Sequence, residues 1–138
     1  MIYEIDERTN NLSKIILDKA FYVHSQLGPG LLESVYEKCL ALKLLQEGLK
    51  VEQQKTLPVK FEDSFIETGF RTDLIVEDRI IIELKACDKI LPIHHAQLHT
   101  YLKLSGLTLG LILNFNETSL KNGIKRIAKT KESYQNFV

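Results

Sequence analysis

The sequence predicts an α/β fold in which helices pack on a mixed β-sheet, and three observations lead to that prediction. Apolar residues recur at helical spacing before residue 48, they alternate with polar residues from Val51 onward, and a second helical pattern separates two apolar runs after residue 86. The chain has 138 residues, of which 44% are hydrophobic and 26% charged, as in ordinary globular proteins. We therefore expect a single domain over residues 1–138.

The first two predicted elements are helices. The apolar stripe of the first helix consists of Leu12, Ile16, Ala20, Val23 and Leu27. The glycine and proline residues at positions 28–30 end this helix. A second helix follows at once, with Tyr36 on its apolar stripe, and Gly48 suits its C-terminal end.

Three strands are predicted between residues 51 and 86. Residues 51–61 alternate apolar and polar side chains, and Pro58 indicates that this strand lies at an edge or contains a bulge. Residues 65–76 and 79–86 are rich in β-branched and aromatic side chains. The short polar pair Glu77 and Asp78 separates them, which predicts a hairpin.

The remaining elements are predicted as a helix, a strand and a final helix. Pro92 suits the first position of a helix that Gly106 ends, and the apolar residues 108–115 form the fourth strand. The inward residues of the last helix would be Leu120, Ile124 and Ile127. Its basic residues would be Lys121, Lys125, Arg126, Lys129 and Lys131. These basic residues suit either contact with phosphates or a solvated face.

Charge and hydropathy exclude several classes of protein. Eighteen Lys and Arg residues balance eighteen Asp and Glu residues, so no overall field attracts polyanions. No apolar run is long enough to span a bilayer, and the first residues are too acidic for a signal peptide, so we expect a cytoplasmic location and no membrane partner. Cys39 and Cys87 lie far apart and indicate neither a disulfide framework nor a zinc site.

The third strand carries the strongest chemical signal. Glu83 and Lys85 lie two residues apart, so their side chains share one face of an otherwise apolar strand. Burying a carboxylate or an ammonium group is costly unless it is paired or bound to a metal. For these two residues alone, a structural ion pair at a strand edge is the simplest interpretation.

The position of Asp73 in the preceding strand bears on this choice. If residues 77–79 all lie outside the hairpin ladder, Asp73 faces Glu83, whereas a two-residue loop would pair Asp73 with Ile82 and turn it away. Both registers stay open, because the loop lacks the glycine that a three-residue turn prefers. Two adjacent carboxylates with a lysine beside them would suit a hard divalent cation that activates water.

The pattern of Asp73 followed by Glu83-x-Lys85 resembles the PD-(D/E)xK nuclease superfamily, although Thr72 rather than proline precedes the aspartate. Residues 30–36 match Gly-x-x-Glu-x-x-Tyr, which names the GxxExxY family within that superfamily. Residues 97–101 resemble the Gln-x-x-x-Tyr element of RecB-like nucleases. This resemblance implies a restriction-endonuclease-like three-layer sandwich, with a mixed four-stranded sheet flanked by helices.

The resemblance also implies a metal site. Asp73 and Glu83 would ligate Mg²⁺, for which Mn²⁺ could substitute, with help from the Leu84 carbonyl. Glu33 would add a carboxylate from its helix. A carboxylate near the start of a helix is, however, also favoured by the helix dipole in any protein.

The remaining roles implied by the resemblance concern the substrate side of the site. Lys85 would activate or position the attacking water. Gln97 would orient substrate or the water on the metal, and Tyr101 would pack beneath it. The alternative for Gln97 is that it caps or bridges backbone groups at a buried surface.

Three histidines offer a rival zinc site. His95 and His99 lie four residues apart on a predicted helix next to His94, but Ala96 stands where a metalloprotease helix has glutamate. Of the three, His94 is the one we expect near the candidate site.

The resulting functional prediction is a metal-dependent nuclease that hydrolyses phosphodiester bonds, with DNA favoured over RNA as substrate. The alternative is a catalytically inactive module of the same fold that binds a phosphate-bearing ligand or a protein partner. The small size of the chain suggests that a homodimer or a separate partner supplies substrate recognition.

Overall fold

The structure is a computed structural model that describes residues 4–129 as three helices, one short 3₁₀ helix and a five-stranded sheet. The helices are α1 (Glu7–Leu27), α2 (Glu33–Gln46) and α3 (Pro92–Ser105). The strands are β1 (Val51–Phe61), β2 (Ser64–Val76), β3 (Ile80–Lys85), β4 (Leu109–Asn114) and β5 (Ile124–Ala128). Within residues 4–129, no helix is both long and apolar enough to cross a lipid bilayer.

The sheet lies between two helical layers. The strands follow the order β1-β2-β3-β4-β5, with β3 and β4 parallel and the other neighbours antiparallel. Alternate residues of β3 enter different cores: Ile82 packs with residues of α1 and α2, whereas Ile81 packs with residues of α3. The α/β sandwich predicted from the sequence is thus confirmed.

The turn between α1 and α2 is braced by Tyr36. Its hydroxyl donates to the Gly28 carbonyl at 2.6 Å and accepts from the Leu31 N–H at 3.0 Å. The ring is fully buried and stacks on Phe115, with 4.6 Å between the ring centroids. The tyrosine of the Gly-x-x-Glu-x-x-Tyr match therefore sets how the chain enters α2, and with it the position of Glu33 at the start of that helix.

Replacing Tyr36 by phenylalanine is expected to destabilise the protein by about 1–2 kcal/mol, because two backbone groups lose their partner while the packing of the ring is kept. Urea unfolding monitored by circular dichroism measures this loss. Tyr22→Phe is the matched control, since Tyr22 is half exposed. Equal stability of the two variants would contradict a bracing role for the Tyr36 hydroxyl.

The hairpin register places residues 77–79 outside the β2–β3 ladder. Leu74 pairs with Ile82 and Val76 pairs with Ile80, which is the register that brings Asp73 opposite Glu83. The turn forms without glycine, although Glu77 and Asp78 both adopt left-handed backbone conformations with φ values of 53° and 52°.

Contacts from Lys50 compensate for the missing glycine. Its backbone N–H donates to Glu77 Oε2 at 2.6 Å, and its ammonium group lies 2.8 Å from Asp78 Oδ2. These contacts stabilise both left-handed residues, and they come from the residue immediately before β1, 27 positions before Glu77.

Strand β1 behaves as its sequence predicts. It forms one edge of the sheet, and its pairing with β2 shifts register between Leu57 and Val59. The bulge therefore falls at Pro58, whose nitrogen carries no hydrogen to donate to the ladder.

The predicted final helix is wrong. Its residues form the short 3₁₀ helix Leu120–Gly123 and then strand β5, which pairs antiparallel with β4. The sheet consequently has five strands rather than four. The spacing of Leu120, Ile124 and Ile127 suits a helix locally, but β5 satisfies backbone groups along β4 that would otherwise form an open edge.

The strand also changes the interpretation of the basic residues in that segment. Lys125 and Arg126 are neighbours on a strand, so they do not share one helical face. Arg126 donates to Asn10 Oδ1 at 2.7 Å and to Ser13 Oγ at 3.0 Å, and so ties β5 to α1. Lys131 lies outside the described residues.

Candidate active site

Asp73 and Glu83 lie side by side on adjacent strands. Asp73 Oδ2 accepts the backbone N–H of Leu84 at 2.9 Å, and the backbone N–H of Asp73 donates to Glu83 Oε2 at 3.4 Å. Both residues continue the face of the sheet that packs against α3. The hairpin backbone therefore holds the two carboxyl groups together.

Glu83 has the most strongly shifted pKa in the site. It is only 6% exposed, and its Oε1 atom has no hydrogen-bond partner. Burial, followed by the charge of Asp73, raises the pKa of Glu83 to about 9, although the nearby Lys85 opposes the shift. A buried carboxyl oxygen without a partner is unusual and leaves an acceptor open to a cation.

Lys85 does not satisfy that open oxygen. It is partly buried at the end of β3, close enough for its charge to lower the pKa of Glu83, yet Glu83 Oε1 remains unpartnered. The simple ion pair that the two residues alone suggest is thus not the arrangement observed.

Helix α2 brings two further carboxylates to the site. Glu33 is its first residue and is exposed, and partial desolvation together with the charge of Asp73 raises its pKa, while Lys85 opposes the shift. Glu37 lies one turn later and is only 8% exposed. Desolvation is also the main cause that raises the pKa of Glu37.

Gln54 of β1 links two of these carboxylates. Its Nε2 atom donates to Glu37 Oε1 at 2.6 Å and to Asp73 Oδ1 at 3.2 Å. Sequence reasoning missed both Gln54 and Glu37. One feature of the sequence could have indicated Glu37: it is a charged residue on the apolar stripe of α2, at helical spacing from the buried Leu40 and Leu44. No feature of the sequence indicates Gln54, since its role depends on the β1–β2 pairing.

Helix α3 borders the site on the other side. Tyr101 stacks on Phe70 with 4.5 Å between ring centroids, which agrees with its expected packing role. Burial raises the pKa of Tyr101, as do the charges of Glu83 and Asp73, so the ring lies near both carboxyl groups. Gln97 is exposed one turn earlier, and its side chain makes no hydrogen bond within residues 4–129.

The histidines of α3 do not form the alternative zinc site. Within residues 4–129, no three His, Cys, Asp or Glu side chains are arranged to hold a metal ion. His94 instead caps its helix, because its Nδ1 atom accepts the Leu91 N–H at 3.0 Å. Desolvation, then the charges of Lys85 and His95, lower its pKa, so His94 does lie towards the site.

Asp73 and Glu83 nevertheless suit a magnesium ion. Mg²⁺ keeps several waters and is typically bound through one or two protein carboxylates, so three converging side chains are not required. The unpartnered Oε1 of Glu83 supplies a buried oxygen for this purpose, and Asp73 supplies a second carboxylate.

These features together define a restriction-endonuclease-like fold, an α/β sandwich whose central hairpin presents Asp and Glu-x-Lys at one end of the sheet. Comparison with known families agrees, since the family described as the PD-(D/E)XK nuclease superfamily matches residues 10–127. The chain belongs to the PD-(D/E)XK nuclease superfamily. Its assignment to the GxxExxY family within that superfamily stays a prediction.

A solved structure supports the same fold. The crystal structure of SSO0001 is similar, with a TM-score of 0.52 and 21% sequence identity. The similarity covers 93% of this chain and 63% of that chain, so the present chain spans less than two thirds of that protein. At this identity the likeness concerns the fold alone. No curated protein matches the sequence.

Proposed function

We propose that the chain is a magnesium-dependent nuclease that hydrolyses phosphodiester bonds in DNA. The observation that carries this proposal is the Asp73–Glu83 pair, with a buried and unpartnered Glu83 oxygen, beside Lys85 in a member of a nuclease superfamily. We also propose that the protein is cytoplasmic and that a homodimer or a separate partner supplies substrate recognition.

The metal would be held by Asp73, Glu83 and the Leu84 carbonyl. Glu33 of α2 would add its carboxylate through a water on the cation, since no third acidic side chain of residues 4–129 is arranged with the pair as a direct ligand. Bound Mg²⁺ would polarise the scissile phosphate and lower the pKa of a water molecule. The carboxyl groups of Glu33 and Glu37 lie close enough to the pair for the charge of Asp73 to raise the pKa of both. The site without metal is therefore suited to attract a cation rather than a phosphate.

Lys85 would act on the side of the substrate. The charge of its ammonium group lowers the pKa of both Glu33 and Glu83, so Lys85 lies close to the carboxyl groups of the site. In a partly buried position it can hold the attacking water or stabilise the negative charge that develops on the phosphate. Gln97, which is exposed on α3, would orient substrate or the water on the metal.

Replacing Lys85 by alanine is expected to reduce cleavage by about 10²–10³-fold, the usual loss for one group that stabilises transition-state charge. The measurement is cleavage of labelled single- and double-stranded DNA and RNA in Mg²⁺ or Mn²⁺. Lys60→Ala is the matched control, because Lys60 is exposed on the distal part of β1.

The same assay separates the two functions considered for the chain. Cleavage that is lost in Lys85→Ala and in chelator, but kept in Lys60→Ala, would establish the nuclease and identify its substrate. If folded wild-type protein cleaves none of the polymers, the nuclease proposal fails, and an inactive binding module of the same fold takes its place.

A further inference from the structure

Gln54 adopts a backbone conformation that nothing in its own strand requires. Its φ is 50°, in the left-handed region, although β1 is extended on both sides of it. Gln53 pairs with Leu74 and Lys55 pairs with Thr72, so Gln54 stands opposite Asp73 where the regular ladder is interrupted. Such conformations are unfavourable for a residue with a long side chain, and they persist where the surroundings enforce them.

The conformation directs the Gln54 amide group between two carboxylates. An amide NH₂ group carries two hydrogens, and here one is donated to Glu37 Oε1 at 2.6 Å and the other to Asp73 Oδ1 at 3.2 Å. The second oxygen of Asp73 is held by the Leu84 N–H at 2.9 Å. Both oxygens of the Asp73 carboxylate are therefore oriented, one from β1 and one from β3.

Glu37 anchors this arrangement from α2. It is only 8% exposed, and its contact with Gln54 is shorter than the contact between Gln54 and Asp73. Each oxygen of a carboxylate can accept more than one hydrogen bond or metal, so the contact with Gln54 leaves Asp73 able to ligate a cation.

We propose that Gln54 is a positioning residue for the metal site, whose left-handed backbone lets its amide group join Glu37 to Asp73 and fix the Asp73 carboxylate in the orientation that binds the cation. This inference rests on the proposed function, since it assumes that Asp73 and Glu83 bind a divalent metal. Groups that orient metal ligands commonly change metal affinity by about 10–100-fold when they are removed.

Two substitutions separate the amide group from the backbone strain. Gln54→Gly removes the amide and adopts a positive φ freely, whereas Gln54→Ala removes the amide and keeps the strain. Both variants are expected to bind Mn²⁺ about tenfold more weakly than the wild type. The two variants are expected to differ in thermal stability: Gln54→Ala, which keeps the backbone strain, should melt at a clearly lower temperature than Gln54→Gly. Gln53→Ala, at the exposed neighbouring position, should match the wild type in affinity.

The measurement is Mn²⁺ binding to the full chain by calorimetry without nucleic acid, together with thermal melting. Wild-type affinity in Gln54→Gly would overturn the positioning role and leave Gln54 as a residue that only satisfies buried Glu37. If the wild type itself does not bind Mn²⁺, the metal site of the proposed function fails, and the present inference fails with it.

Discussion

Glu83→Gln is expected to abolish metal-dependent cleavage and, at the same time, to make the fold more stable at pH 8. Burial raises the pKa of Glu83 from its ordinary value near 4.5 to about 9. At pH 8 the unfolded chain carries this residue ionised, whereas the folded protein without metal must protonate it or bury its charge. Glutamine has the same shape and carries no charge, so this cost disappears.

The sign of the effect follows from proton uptake. Between about pH 4.5 and pH 9 the folded state binds one more proton at Glu83 than the unfolded state, so the stability of the wild type falls as the pH rises. We expect Glu83→Gln to flatten this dependence and to exceed the wild type by at least about 1 kcal/mol at pH 8. Cleavage should fall by about 10³-fold or more, because glutamine does not supply the carboxylate that the cation needs.

Urea unfolding at pH 5 and pH 8 in the presence of chelator measures the stability difference, and the nuclease assay measures the loss of function. Glu67→Gln is the matched control, because Glu67 is exposed on β2 and should change neither quantity. A Glu83→Gln variant that is less stable than the wild type at pH 8 would show that Glu83 serves the fold rather than a metal. Gains in stability at the expense of activity are typical of functional sites.

The parts of the fold that follow from local patterns could be predicted from the sequence. The stripes of α1 and α2 and the apolar content of β3 and β4 each lie within one element, and their periods show which side is buried. Strand β5 could not be predicted in this way. Its apolar spacing also fits a helix, and only pairing with β4 selects the strand.

The same distinction applies to the candidate site. Asp73, Glu83 and Lys85 could be proposed because charged residues in apolar strands are conspicuous. Their juxtaposition, however, depended on a hairpin register that Lys50 stabilises from just before β1. Gln54 could not be proposed at all. An exposed glutamine in an edge strand is ordinary, and its importance appears only when β1 is laid against β2 with Asp73 opposite.

The side chains of the site are held rigidly, and their arrangement lowers the stability of the fold. Its carboxyl groups come from α2, β2 and β3, so no single element determines their spacing. Tyr36 fixes the turn before α2, and Gln54 joins α2 to β2. Two features lower the stability of the protein without metal, namely the buried Glu83 and the left-handed backbone of Gln54. A cation that binds Asp73 and Glu83 would compensate for the first of them.

Metal affinity is therefore expected to rise steeply with pH. Below its pKa of about 9 Glu83 holds a proton that a cation must displace, so the dissociation constant for Mn²⁺ should fall about tenfold per unit between pH 6 and pH 8.5. His94 does not produce this dependence at the upper end of the range, because desolvation lowers its pKa below the ordinary 6.5 and it stays neutral there.

Calorimetry in buffers with different ionisation enthalpies counts the protons released, and about one proton per Mn²⁺ is expected at pH 7 if Glu83 is the group that loses it. The control Glu67→Gln should keep both the slope and the proton count. Glu83→Gln lacks the carboxylate, so it should bind Mn²⁺ much more weakly, and any binding that remains should release no proton at this position. An affinity that does not change between pH 6 and pH 8.5 would mean that the cation does not displace the proton of Glu83. The metal would then bind elsewhere, and the buried carboxyl group would require another explanation.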